Sequence, residues 1–234
     1  MRARVLVAID GPAGAGKSTV AKLLASRLDF LLVDTGALYR TVALAAQRAG
    51  LSFADDDAVG ELAESLAADR RIRMEAESQG DSRGVRVLID AEDVSSFIRT
   101  PEMSLGASRV SANPRVRDAL LAMQRQAGEN GGVVLEGRDI GTVVFPDARV
   151  KLFITASVAE RARRRFLELT ARGVAADPAQ VEAEIRDRDA QDANRPVAPL
   201  KPAPDALAID TTALDAEQAF SAAMALIRQR LESA

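Results

Sequence analysis

A chain of 234 residues with net charge −3, no cysteine and no histidine is long enough for one large domain, or one with a modest insert, and already excludes much chemistry. Lack of cysteine removes disulfides, thiolate catalysis and cysteine-ligated zinc; lack of histidine removes the usual general base and the commonest metal ligand, leaving carboxylates, Lys, Arg, hydroxyls, backbone dipoles or an oxygen-held metal. The faintly acidic balance gives no electrostatic reason to expect nucleic acid, and 47% hydrophobic with 28% charged residues is the make-up of a globular protein with a core of its own.

Arg2 and Arg4 before Val5-Leu-Val-Ala-Ile9 imitate the start of a signal peptide, but the apolar run is too short and Asp10 ends it. A cytoplasmic location with no membrane partner is the default expectation. Val5 to Ile9 reads instead as a buried strand. A glycine-rich turn, Gly11 to Gly16, follows it, and then a helix from Ser18 to Leu28 with apolar residues at Val20, Leu23, Leu24 and Leu28. Leu31 to Val33 reads as a second strand, with Thr35 as the cap of a helix running to Gly50, and Asp55 to Ala68 as another helix.

The periodicity then changes from helical to alternating. Ile72, Met74 and Ala76 alternate with charged residues, as do Val85, Val87 and Ile89 with Arg86 and Leu88, around the turn-rich Gln79-Gly-Asp-Ser-Arg-Gly84. This predicts a small antiparallel unit inserted into an α/β chain. Thr100-Pro101 and Asn113-Pro114 each pair an N-cap with Pro at the first helical position. Val133 to Leu135, Val150 to Ile154 and Ala206 to Ile209 read as strands, and Ala159 to Ala171, Pro178 to Ala190 and Asp215 to Leu231 as helices. Alternating strands and helices predict a parallel sheet covered on both faces.

Gly11-Pro12-Ala13-Gly14-Ala15-Gly16-Lys17-Ser18 matches the phosphate-loop pattern GxxxxGK[ST] at every defined position. Glycines let successive backbone N–H groups converge on a phosphate, and the helix opening near Lys17 points its positive end at the same place. Lys17 then reaches the β- and γ-phosphates, and the Ser18 hydroxyl is the candidate ligand for Mg²⁺. A dinucleotide fingerprint with Asp34 as its acidic residue fails, because its third glycine would fall on Thr19. A guanine-reading switch protein is disfavoured too, since no Asn is followed by Lys.

Phosphoryl transfer needs charge neutralisation more than covalent chemistry, so arginines near the phosphate loop are the next thing to look for. Arg161 and Arg165 share a helix face, a spacing that favours an anion between them, while Arg163 reads as solvated. Ile185-Arg-Asp-Arg-Asp189 and Asn194-Arg-Pro196 add more. Glu136-Gly-Arg138-Asp139-Ile-Gly141 follows a strand, where open α/β sheets collect ligands, and reads as a Gly-flanked functional loop.

With these residues in view, the chain resembles the bacterial-type cytidylate kinases over essentially its whole length. The specific segments are Ile9 to Thr19, Asp34-Thr-Gly-Ala-Leu-Tyr-Arg40, Glu136 to Pro146 and Asn194-Arg-Pro-Val-Ala-Pro-Leu200. The resemblance implies an α/β P-loop NTPase three-layer fold with a five-stranded parallel sheet. It implies a single kinase domain over 1–234, an inserted antiparallel monophosphate-binding unit at about 70–100, and an Arg-bearing helical lid at about 157–178.

It further implies ATP as donor, with Mg²⁺, and CMP or dCMP as acceptor, handled by a monomer. By motif, residues Gly11 to Thr19, with Arg161 and Arg165, resemble the ATP-binding set. Lys17, Arg138 and Arg188 resemble the catalytic and phosphate-clamping residues. Thr35, Arg40 and Arg138 resemble the contacts to the acceptor phosphate, Asp192 the contact to the pentose, and Ser108, Arg117 and Asp139 the cytosine-reading set. Tyr39, the one tyrosine, reads either as a base contact or as a helix-packing aromatic. Two alternatives stay open: a kinase for another small acceptor such as UMP or shikimate, and a non-catalytic module that binds nucleotide and recruits a partner.

Overall fold

The structure, a computed structural model, describes residues 5–79 and 82–232. Its first third runs β1 (Leu6–Asp10), α1 (Lys17–Leu28), β2 (Leu31–Asp34), α2 (Gly36–Arg48) and α3 (Asp56–Ala68). The middle is β3 (Ile72–Gln79), β4 (Ser82–Ile89), β5 (Glu92–Asp93), a 3₁₀ turn (Phe97–Arg99), α4 (Pro101–Val110) and α5 (Pro114–Gly128). Then come β6 (Val133–Gly137), a π-helical turn (Ile140–Val144), β7 (Val150–Thr155), α6 (Val158–Ala171), α7 (Pro178–Asn194), β8 (Leu207–Asp210) and α8 (Ala216–Glu232). Arg2, Arg4 and the turn residues Gly80 and Asp81 lie outside the described residues.

The chain divides into two compact units, one spanning Ala25–Glu136 and the other Val5–Leu24 with Gly137–Ala234. In the Ala25–Glu136 unit, β2 and β6 pair in parallel from Leu31↔Val133 to Asp34↔Glu136. The predicted insert is there as an antiparallel pair, β3 on β4, in register from Ile72↔Ile89 to Gln79↔Ser82. It is continuous with the parallel strands, since β4 also meets β2 at Leu31↔Arg83. Helices α2 to α5 bury Leu38, Val42, Leu66, Ile98, Met103 and Leu120 in one core, together with Ile72 and Val87 of the hairpin. The Thr100 and Asn113 hydroxyl and amide oxygens cap α4 and α5 as the sequence predicts, accepting from Met103 N at 3.2 Å and Arg115 N at 2.9 Å.

In the other unit, β1, β7 and β8 are all parallel, with Val7↔Val150 to Asp10↔Phe153 on one side of β7 and Leu152↔Leu207 to Thr155↔Asp210 on the other. Val7, Ala8, Ile9, Val150 and Ile154 are fully buried, in keeping with the near-continuous apolar runs of parallel strands. Helices α6 and α7 share a smaller apolar seam of Ala162, Leu169, Val181 and Ile185.

Two local expectations change. Thr35 does not cap α2: its backbone is already helical (φ −66, ψ −23) and its side chain makes no capping bond. Instead its Oγ1 donates to the Glu136 carbonyl at 2.9 Å, a long-range contact that outcompetes the local one. The Glu136–Gly141 stretch is not a plain loop: β6 continues, buried, through Glu136 and Gly137. After Asp139 the chain closes a π turn in which the Asp139 carbonyl accepts from Val143 N and Val144 N at 2.9 and 3.2 Å. A π turn is uncommon and has no side-chain periodicity of its own, so the pattern of residues does not announce it.

Candidate active site

The phosphate loop grows out of β1. Gly11, Gly14 and Gly16 all hold positive φ, at 147°, 74° and 85°. At Gly11 nothing else is admissible, because a Cβ would stand 1.9 Å from the Ile154 carbonyl oxygen of neighbouring β7. The loop therefore leaves the strand in a direction set by backbone against backbone. It opens α1 at Lys17, which puts the amide groups of that helix's first turn at its mouth. Lys17 is buried and its Nζ donates to the Pro12 carbonyl at 2.6 Å, closing the loop on itself. Ser18 and Thr19 are exposed at the helix start.

The far side of the loop is held by α6 and the segment after β8. Arg161 is buried; its guanidinium donates to the Ala13 carbonyl at 3.2 Å and makes a two-pronged ion pair with Asp189 of α7 at 2.9 and 2.5 Å. Thr211 Oγ1 lies 3.0 Å from the Ala15 carbonyl and itself accepts from Arg164 Nη1 at 3.1 Å. Arg165 instead pairs with Glu168 at 2.9 Å. In this arrangement Arg161 braces the loop from behind, and the two arginines do not share a partner. Arg163 and Arg164 both bond Glu160 and hold its carboxyl down at about 2.

Beyond β6, Arg138 donates through Nε to Asp192 at 3.1 Å and through Nη1 to the Gly137 carbonyl at 3.2 Å. Asp192 is buried on α7, and Arg195 Nη1 lies 3.7 Å from its other oxygen. Arg188 stands one helical turn before Asp192 on α7. Asp139, buried, sits with φ −149 and ψ 23 at the entry to the π turn. Sequence reasoning assigned no role to Asp10, which is 4% exposed and accepts from Ile140 N and Gly141 N at 2.7 Å each. Burial drives its carboxyl up to about 6, against the two amide bonds and Lys17, which pull it down, while the Asp139 charge adds to the rise. A carboxylate closing a buried apolar strand was the available signal, since an ionised group is not buried without donors to meet it.

The Ala25–Glu136 unit carries the other predicted residues on α2, α4 and α5. Arg40 bonds Asp34 at 2.5 Å, and its buried Nε has no hydrogen-bond partner. Thr35 is buried against the Glu136 carbonyl. Ser108 and Arg117 come together through the bend between α4 and α5. Ser111 Oγ donates to the Ser108 carbonyl at 3.1 Å, and Arg117 Nη1 to the Ser111 carbonyl at 3.2 Å. Tyr39 is 7% exposed in the helical core, with the Arg117 guanidinium 5.4 Å over its ring and Gln124 Nε2 3.4 Å from its hydroxyl. Of its two readings, the packing aromatic accounts for these contacts, and it also serves as a platform for Arg117.

Comparison with known proteins points one way. A family model described as cytidylate kinase matches residues 7–229. The chain is 49% identical to the cytidylate kinase of Syntrophotalea carbinolica over 98% of this chain and 94% of that protein. It is 52% identical to that of Citrifermentans bemidjiense over 97% and 94% respectively. It is also 49% identical to a bifunctional pantoate ligase/cytidylate kinase of Synechococcus elongatus, over 97% of this chain and 42% of that longer protein.

Proposed function

Because the chain belongs to the cytidylate kinase family, we propose that it transfers the γ-phosphoryl group of ATP to CMP or dCMP, giving CDP or dCDP and ADP. The observation that carries the donor half is the phosphate loop, whose positive-φ glycines leave β1 against the Ile154 carbonyl and deliver Lys17 to the head of α1. Its convergent amides and helix terminus suit a polyphosphate.

An oxygen of the acceptor phosphate attacks the γ-phosphorus; the new O–P bond forms as the bond to the β-phosphate oxygen breaks, and ADP leaves. That oxygen is already ionised near neutrality, so no general base is needed, which suits a chain without histidine. Lys17, Arg138 and Arg188 stabilise the charge moving through the transferring group. Thr35, Arg40 and Arg138 hold the acceptor phosphate. The orphaned Arg40 Nε supports this role, because a buried donor without an acceptor is costly unless a ligand supplies one. The single Thr35 proton rests on the Glu136 carbonyl, so the hydroxyl must turn to donate to phosphate.

Ser108, Arg117 and Asp139 read cytosine: the carboxylate accepts from the exocyclic amine, and the others donate to ring nitrogen and carbonyl. Uracil reverses part of that pattern and leaves buried groups unpaired. Asp192 accepts from the pentose. Arg165 is the ATP contact best placed to exchange partners, since its present one, Glu168, is on the surface.

No group of three or more acidic, His or Cys side chains able to hold a metal occurs among the described residues. Mg²⁺ would be held by the phosphates and the Ser18 hydroxyl at the head of α1, where it would neutralise charge on the β- and γ-oxygens. The reading extends to an inserted acceptor-binding unit at about 70–100, a closing lid at about 157–178 that excludes water, and a cytoplasmic monomer without nucleic-acid or membrane partners. No helix among the described residues is long and apolar enough to cross a membrane.

The test is Mg²⁺-dependent ADP release from ATP with CMP, dCMP, UMP, AMP or no acceptor. Preference for CMP and dCMP is expected. Preference for another monophosphate keeps the kinase and overturns the Ser108, Arg117 and Asp139 assignment; nucleotide binding without acceptor-dependent turnover overturns the enzyme.

A further inference from the structure

We infer that Asp10 is a positioning residue for cytosine selection: its carboxylate, fixed at the end of β1, clamps the first two amides of the π turn and thereby sets the backbone that presents Arg138 and Asp139. The inference rests on the proposed role of Asp139 as a base reader.

The geometry is specific. Asp10 Oδ1 takes Ile140 N and Oδ2 takes Gly141 N, both at 2.7 Å. These are charge-assisted bonds to the unsatisfied amides that open a helical turn. The peptide joining Asp139 to Ile140 is thus held at both ends, its N–H by Asp10 and its carbonyl by Val143 N and Val144 N. Held at this peptide, the Asp139 backbone sits at φ −149 and ψ 23, outside the main allowed basins. Asp139 has no side-chain capping bond to the turn it opens, so the cap comes from Asp10, far away in sequence.

Gly141 completes the fit. A Cβ there would stand 3.1 Å from Lys151 Cδ and 3.4 Å from Asp10 Oδ2. At the other end the anchor is rigid, because Asp10 is paired with Phe153 in β7 and immediately precedes Gly11, which is pressed on the Ile154 carbonyl. The start of the phosphate loop and the π turn after Arg138–Asp139 therefore meet at one residue, the first through the Asp10 backbone and the second through its carboxylate. The charged neighbours of that carboxylate are Asp139 before the turn, Lys17 from α1 and, beside Gly141, Lys151 of β7. Both acceptor oxygens are needed: a protonated or amidated Asp10 presents a donor to one of the two amides and releases it.

The experiment measures kcat/KM for CMP and for UMP on wild type, Asp10→Asn and Asp139→Ala. The ratio cancels ionisation of the acceptor phosphate and the folded fraction, so a purely structural loss does not move it. Asp10→Asn is expected to lower the CMP:UMP ratio about tenfold while changing KM for ATP less than about threefold, tenfold being about 1.4 kcal/mol.

A drop in the ratio for Asp139→Ala with none for Asp10→Asn overturns the inference, as does an equal rise in KM for ATP. If neither variant moves the ratio, the base-reading assignment falls and takes this inference with it; if wild type does not turn over CMP, the kinase reading itself has failed. Should Asp10→Asn not fold, wild type supplies the same reading. Between pH 7 and 5 the ratio is expected to fall, with loss of hydrogen-exchange protection at Ile140 and Gly141 after correction for intrinsic rates. A constant ratio or unchanged protection overturns the inference.

Discussion

The two units hold their predicted ligand-binding residues by different means. In the unit containing β1, β7 and β8, the phosphate loop is backbone architecture: glycine dihedrals, a strand-to-strand contact at Gly11, and carbonyls at Ala13 and Ala15 gripped by Arg161 and Thr211. In the Ala25–Glu136 unit, the candidate acceptor residues are side chains on helices, aimed by packing: Arg117 over Tyr39, Arg40 against Asp34. Backbone-built sites tolerate almost no substitution at their glycines but are indifferent to much of what surrounds them. Side-chain sites degrade gradually, because each contact is worth about a kcal/mol.

Four measurements press on this contrast. Lys17→Met is expected to cut turnover about 10²–10³-fold or more with an unchanged circular dichroism spectrum, since the loop and not the lysine sets the fold. Retained ADP release would remove the donor assignment.

Gly11→Ala is expected to cost about 3 kcal/mol or more in urea unfolding, because both the positive φ and the 1.9 Å approach to Ile154 forbid a Cβ. A cost under about 1 kcal/mol would show that β1 and β7 can part, and would void the backbone-built description.

The third measurement is pH-dependent. Asp10 titrates at about 6 when folded against an ordinary 3.8, so between those values the native state binds more protons than the unfolded one. Its contribution to stability is complete below about pH 4 and is lost as pH rises through about 6, spanning about 3 kcal/mol. Asp10→Asn does not titrate, so its stability relative to wild type should climb from pH 4 to 6 and then level. A flat difference would mean the carboxyl is not buried as described.

Smallest is the pair Tyr39→Phe and Tyr39→Leu. Phe keeps the ring under Arg117 and should leave KM for CMP within about twofold. Leu removes the cation–π contact, worth about 0.5–2 kcal/mol, and should raise KM for CMP a few-fold. Equal effects would assign Tyr39's contribution to its hydroxyl and Gln124 rather than to its face.

Much of this was legible in the residues. Apolar runs of strand length, helical spacings, the Pro-marked caps at Thr100 and Asn113 and the alternating hairpin all formed, because each depends on neighbours within a few positions. The phosphate loop was legible for the same reason: eight consecutive residues contain its whole mechanism. Thr35 misled, since a hydroxyl ahead of a helix is a local cap signal and the Glu136 carbonyl that captured it is supplied by β6.

The sequence by itself therefore determined where the main strands, the long helices and the phosphate loop lie, and which residue types the chemistry has at its disposal. Only the tertiary structure decided their partners. It set Arg161 on Asp189 and the back of the loop and Arg165 on Glu168, made Tyr39 a platform under Arg117, and set Asp10 on the amides of Ile140 and Gly141. The reason is physical: periodicity and turn chemistry report contacts three or four residues apart, whereas a buried charge must find donors wherever the fold brings them, and in Asp10 they come from 130 and 131 residues along the chain.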